Sequence, residues 1–107
     1  MKVGMLNIQF KPEMMKEGVE HWFNLTHELK SHFPSFKGAY LMTDAKSGKC
    51  VGVGLWDSQK DADGLTQNNV YRNFLEKVNP CCARPIVREQ LEMSEKSFQE
   101  MKKMAVM

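Results

Sequence analysis

Phe36-Lys37-Gly38-Ala39-Tyr40-Leu41-Met42-Thr43 and Cys50-Val51-Gly52-Val53-Gly54-Leu55-Trp56 flank a polar stretch, Asp44-Ala45-Lys46-Ser47-Gly48-Lys49. The flanks are rich in β-branched and aromatic residues, and the stretch between them is turn-forming, with Gly48 the natural positive-φ residue. This reads as a β-hairpin. Both of its strands are apolar on both faces. Phe36, Gly38, Tyr40 and Met42 alternate with Ala39 and Leu41, while Val51, Val53 and Leu55 alternate with Cys50, Gly52, Gly54 and Trp56. Such a hairpin needs cover on two sides.

Upstream, Val3 to Phe10 alternates as a further strand, with Gly4, Leu6, Ile8 and Phe10 on one side and Val3, Met5, Asn7 and Gln9 on the other. Lys11-Pro12 ends it. Between Glu13 and Ser31 the residues Met15, Val19, Trp22 and Leu29, followed by Phe33, recur at helical spacing, and Pro34 stops that helix. Downstream, Ser58 is an N-cap for a second helix, with Asp61 completing a pair of the capping-box kind. Gly64 and Asn68-Asn69 interrupt this segment. Asn68 or Asn69 caps a further helical piece, Val70 to Val78, whose inner side is Val70, Phe74, Leu75 and Val78. Arg84-Pro85 leads into a last strand, Ile86 to Met93. The order βαββαβ predicts an α+β, ferredoxin-like fold: a four-stranded antiparallel sheet with helices on one face. Residues 1–94 form the domain and 95–107 a C-terminal tail helix. Helices cover one sheet face only, so a second copy stacked on the other, as a homodimer, is the expected remedy.

Composition narrows the function. Fifteen basic against thirteen acidic residues leave a charge of +2 with the signs interspersed, so no basic stripe points to nucleic acid. No apolar run approaches the roughly 20 residues that span a bilayer, and Asn7 and Gln9 follow too soon after Met1 for a secretory leader. Three cysteines, two of them adjacent, do not form a disulfide framework. A cytoplasmic protein with no membrane partner is expected.

Three segments carry a family resemblance: Phe33-Pro34-Ser35-Phe36-Lys37-Gly38-Ala39, Gly54-Leu55-Trp56-Asp57-Ser58 and Val70-Tyr71-Arg72-Asn73-Phe74-Leu75. Together with the strands around them, over roughly residues 1 to 93, the chain resembles the dimeric α/β-barrel superfamily in its antibiotic-biosynthesis-monooxygenase-like branch. The resemblance implies a homodimer with facing sheets and a cavity between sheet and helices. It also implies cofactor-free oxygenation of a small aromatic or quinol-like molecule, or a non-catalytic, small-molecule-binding or stress-associated dimer of the same fold. The haem-degrading relatives use an Asn on the first strand, which Asn7 matches, and a Trp and a His on the second helix. Leu65 and Leu75 stand near those last two positions, so no haem is expected.

Asn7 is the candidate catalytic residue, because a lone amide among apolar side chains can orient a carbonyl or a developing oxyanion. Gly52 and Gly54 remove side-chain volume from one strand face, and Tyr40 and Trp56 could wall the space, so these four are the candidate ligand-binding residues. His21, His27 and His32 are spaced six and five apart, whereas two ligands on one helix face need three or four. Cys81-Cys82 lacks a second cysteine pair, and no metal site is expected. No phosphate-binding loop and no nucleophile–base pair is present.

Overall fold

The computed structural model describes residues 1–105. The strands are β1 (Lys2–Gln9), β2 (Phe36–Thr43), β3 (Lys49–Trp56) and β4 (Val87–Glu92), and the helices α1 (Met15–His32), α2 (Gln59–Gly64), α3 (Asn69–Val78) and α4 (Glu95–Ala105). The sheet order is β2-β3-β1-β4 with every pair antiparallel, as the βαββαβ reading requires. Residues 106 and 107, the end of the expected tail helix, lie outside the described residues. No described helix is long and apolar enough to cross a membrane.

Helix ends follow their sequence signals closely. Pro12 opens a short 3-10 turn before α1, and α1 closes where the Phe33 amide donates to the Leu29 carbonyl, one residue before Pro34. The Ser58 hydroxyl accepts from the Asp61 amide at 3.1 Å, capping α2. The Asp61 carboxylate does not complete a capping box. It accepts instead from the Ser35 hydroxyl at 2.6 Å, tying α2 to the entry of β2. The Asn68 carboxamide oxygen accepts from the Val70 amide at 2.8 Å and caps α3. Gly48, with φ +79°, takes the positive-φ position of the hairpin turn.

The core lies between the sheet and the helices. Leu6 and Ile8 from β1, Phe10 just past its end, Cys50 and Trp56 from β3, Phe36 from β2, and Trp22, Leu25 and Leu29 from α1 are all buried there. Trp56 anchors one end, with Phe36 and Phe33 edge-on to it at centroid separations of 4.9 and 5.5 Å. Two sequence expectations are corrected. Phe36 does not share a face with Tyr40 and Met42: an irregularity between Phe36 and Gly38 shifts the register and turns Phe36 onto the helix side opposite Trp56. On α3 the fully buried set is Tyr71, Phe74 and Val78, while Val70 and Leu75 pack only partly against the core.

The other sheet face is bare in the single chain. Register places Tyr40 and Met42 beside Val53 and Val51, then Val3, Met5 and Asn7, then Leu91, Glu89 and Val87. Tyr40, Met42, Val87 and Leu91 are each more than half exposed.

Glycine allows a close helix-to-sheet contact in the core. A Cβ on Gly52 would come within 2.5 Å of the Trp22 ring, so the indole lies directly on the bare strand. Gly52→Ala is expected to destabilise the domain by about 1–3 kcal/mol through overpacking, seen as a lower urea midpoint. Gly64 has φ −79° and open space around it. Gly64→Ala is therefore expected to be neutral or to stabilise by up to about 1 kcal/mol.

Candidate functional site

Beside the Trp22 contact, the helix-covered face leaves a small void. Gly4 and Gly54, paired across β1 and β3, form its floor. Leu6, Trp22, Leu25, Leu29, Phe36 and Leu65 supply apolar walls. Thr26, Trp56, Tyr71 and Arg88 add the polar groups. Two of these converge over the glycine floor: a Cβ on Gly4 would lie 3.9 Å from both Trp56 Nε1 and Arg88 Nη2. The cavity measures about 30 Å³. That is room for a water or two; pockets that take a drug-sized ligand run to roughly 300 Å³ or more.

The donors are held from three elements. Trp56 ends β3 and is buried to 1% exposure, and Tyr71 comes from the first turn of α3 at 4%. Arg88 enters from β4, on the same face as Leu6. Its Nη2 donates to the Ala62 carbonyl at 2.7 Å, which fixes the guanidinium against the end of α2. The Gln90 carboxamide, with its oxygen toward Arg88, accepts from both Nη atoms at 2.9 and 3.0 Å and donates to Asp63 at 2.9 Å. Arg88 makes no ion pair among the described residues, so a half-buried positive charge faces the void without a carboxylate partner. Burial pushes the Tyr71 phenol above its ordinary value, and the nearby Arg88 charge pulls the other way. At neutral pH Tyr71 is a donor. Trp56 and Arg88 are donors always.

The five residues picked from sequence do not come together. Gly54 and Trp56 line the cavity. Gly52 is on the same face, but Trp22 occupies its space. Asn7 pairs with Val51 and Val87 on the opposite face of the sheet, and Tyr40 pairs with Val53 there. Asn7 therefore stands back to back with the glycines rather than across from them. It borders a separate open groove of about 260 Å³, shared with Lys49, Arg84 and Pro85. Leu6, not Asn7, is the cavity-facing residue at this level of β1, so the match of Asn7 to the haem-degrading pattern fails on geometry. Tyr71 and Arg88 escaped the sequence reading. Tyr71 precedes Phe74 and Val78 by three and seven residues, the helical spacing that puts it on their inner face.

The cysteines are unpaired, Cys50 and Cys81 buried and Cys82 half-buried. Burial is the main cause that raises all three thiols above the ordinary range. His27 and His32 are exposed, but His21 is half-buried and turned toward the α3–β4 connection. There one donor atom each from Glu17, His21 and Cys81 lie within 4.8 Å of one another.

No protein-family model and no curated protein matches the sequence. Solved structures do match in fold. A "putative antibiotic biosynthesis monooxygenase" from Caulobacter crescentus superposes with a TM-score of 0.75 at 17% identity, over 88% of this chain and 91% of that one. Proteins described in the same words from Deinococcus radiodurans (TM-score 0.75, 8% identity, 89% and 94% covered) and Nitrosomonas europaea (0.70, 17%, 87% and 98%) agree. The chain thus has the ferredoxin-like α+β fold of the antibiotic-biosynthesis-monooxygenase-like proteins, as its sequence resemblance implied. At these identities the likeness is one of fold.

With only two tyrosines, the Tyr71 environment can be read directly. In a Tyr40→Phe background the remaining phenol is expected to ionise above the ordinary value of 10.0, followed by ultraviolet difference absorbance. Adding Arg88→Met should move that ionisation higher still, because a positive charge that favoured the phenolate is gone. A titration at the ordinary value, or one indifferent to Arg88, contradicts the placement of Tyr71 beside the guanidinium.

Proposed function

We propose that the chain is a cofactor-independent monooxygenase of a small phenolic or quinol-like molecule, working as a homodimer in the cytoplasm. One observation carries the reading: Trp56, Tyr71 and the unpaired Arg88 guanidinium converge on an apolar, glycine-floored cavity between sheet and helices. All three donate and none accepts a proton at neutral pH. Such a set binds oxygen atoms that carry or develop negative charge. A phenol seated there ionises more readily beside Arg88, and a phenolate is rich enough in electrons to reduce dioxygen.

The chemistry balances without a cofactor. The phenolate passes one electron to O₂, and the radical pair joins at a ring carbon as a peroxide. The O–O bond then breaks as the distal peroxide oxygen takes up the ring C–H proton, giving a carbonyl and hydroxide, which the proton released by the phenol converts to water. The sum is phenol plus O₂ to quinone plus H₂O, with one oxygen atom entering the ring and the substrate supplying all four electrons. The phenol proton passes to solvent, since no basic side chain lines the void. Gly54 and Trp56 are retained from the sequence reading as ligand-binding residues, with Gly52 setting the position of Trp22 behind them. Asn7 and Tyr40 are assigned to the subunit interface, where Asn7 is the polar group among Met5, Val51 and Val87.

The absence around the void of a side chain that could act as a base favours a rival reading, a non-catalytic small-molecule-binding dimer. Oxygen uptake separates the two. With 1-naphthol the enzyme is expected to consume one O₂ per naphthol and to place one ¹⁸O atom in the quinone. Arg88→Met should lower kcat/KM by roughly 10²–10³, the usual loss for one oxyanion donor. Naphthol that binds without oxygen uptake selects the rival. Naphthol that does not bind removes both.

The dimer has its own test. The bare face of β1–β4 carries Val3, Met5, Tyr40, Met42, Val51, Val53, Val87 and Leu91, a contiguous apolar patch of the kind that marks an interface. Stacking a second copy there hides it. Met5→Asp sets a carboxylate on a central strand of that face, and two such charges buried together should split or unfold the dimer. Sedimentation at micromolar concentration is expected to give a dimer for the parent and a monomer or aggregate for the variant. A stable parent monomer overturns the proposal.

A further inference from the structure

Glu17 and His21 are four residues apart on α1 and so share one face of it, and the 3-10 turn Asn79–Cys81 brings Cys81 against that face from the far end of α3. We propose that Glu17, His21 and Cys81 form a binding site for a divalent cation of the zinc class, distinct from the cavity under Trp56. The donor set is a thiolate, an imidazole and a carboxylate. Zinc takes these three together more readily than calcium or magnesium, which want oxygen alone.

Geometry supports the site. Tetrahedral zinc with bonds of about 2.0–2.3 Å holds its donor atoms roughly 3.5 Å apart. Here His21 Nε2 and Glu17 Oε1 are 4.0 Å apart and all three donors fall within 4.8 Å, so closing on an ion takes a side-chain adjustment of about an ångström. The donors also differ in burial. Cys81 is 1% exposed and its sulfur has no hydrogen-bond partner among the described residues, while Glu17 is exposed. An ion would sit on the rim, held from below by sulfur and from the side by α1, with a fourth position open to water or an incoming ligand. Charge closes as well, since one thiolate and one carboxylate neutralise a dication. Lys11, whose ammonium donates to the Pro80 carbonyl at 3.3 Å, stands on the same rim and is engaged there. The sequence pattern hides this site, because it pairs neither two histidines nor two cysteines and joins residues about sixty positions apart.

Such a site would clamp the first half of α1 to the end of α3. These two helices pack against each other, and both contribute walls to the cavity. Metal binding would therefore stiffen the cover of the pocket without touching its interior.

Cobalt(II) is the probe, titrated into the full-length, reduced, metal-free protein. The expected result is one equivalent bound at micromolar concentration, with the near-ultraviolet sulfur-to-cobalt charge-transfer band and the intense visible bands of tetrahedral coordination, both displaced by zinc. Cys81→Ser should remove the charge-transfer band. His21→Ala and Glu17→Gln, at partly or fully exposed positions, should each weaken binding at least about tenfold. Cys82→Ser should change nothing. Should Cys81→Ser fail to fold, the two α1 variants decide the matter. The proposal is overturned if the parent shows no charge-transfer band, if both α1 variants bind as the parent does, or if Cys82→Ser abolishes the band.

Discussion

The register between the two central strands, Gly4 opposite Gly54 and Leu6 opposite Gly52, is the constraint on which the rest of this molecule depends. It lays a strip almost free of side chains down the middle of the helix-covered face. Helices packed on that strip can respond in two ways, and both are used. At Gly52 the α1 helix drops Trp22 onto the strand, which fixes the height of the helix above the sheet. At Gly4 and Gly54 nothing comes down to fill the space, and the cavity is what remains. A Cβ at Gly54 would approach the Phe36 ring to 3.1 Å, so that end of the floor is already close to its packing limit. One glycine serves packing and two serve the void. A shift of the β1–β3 pairing by a single residue would turn the strip onto the bare face and leave neither.

Much of this was legible in the sequence, and the failures have specific physical causes. Element order, the broken second helix and the caps at Ser58 and Asn68 are local properties, written in residues a few positions apart. Alternation along β1 divides its residues correctly into two sets. It does not say which partner residues join each set, because that depends on a pairing register set by the whole sheet. Without that register, the sequence does not tell that Asn7 and the glycines of β3 stand on opposite faces. Phe36 was placed with Tyr40 because an irregularity within a strand leaves no mark on its composition. Arg88 was missed because Val87-Arg88-Glu89-Gln90 reads as a solvated edge strand. The structure puts Arg88 and Gln90 on the covered side, where the end of α2 supplies the Ala62 carbonyl that holds the charge in place.

Consequences for the chemistry follow from what the cavity lacks as much as from what it holds. Every polar group around it donates, apart from the Thr26 hydroxyl, whose proton is already given to the Phe23 carbonyl at 3.0 Å. A site of this kind cannot take a proton from carbon, so it can act only on a molecule already disposed to ionise at oxygen. For the proposed reaction, that favours phenols over alcohols and ketones on acidity alone. The same donors would hold a superoxide or peroxide oxygen as charge moves onto dioxygen, so a single arrangement serves the substrate before the reaction and the oxidant during it.

A void of about 30 Å³ must enlarge before any aromatic ring can enter, and the fold indicates where it would yield. The sheet floor is held by strand pairing on both sides, and α1 is pinned by Trp22. The shortest element lining the void is the 3-10 turn between α2 and α3, from which Leu65 closes the cavity. Gly64 before it has no neighbour within 4 Å of a would-be side chain, Asn68 after it starts a fresh helix, and the buried Leu65 side chain ties the turn to the core. Arg88 is bonded to the Ala62 carbonyl at the other end of the same segment. Displacing Leu65 outward would therefore strain the anchor of the guanidinium, and a ligand oxygen that engages Arg88 would take over part of that anchoring role. On this geometry, opening of the pocket and engagement of Arg88 by a ligand oxygen would be coupled.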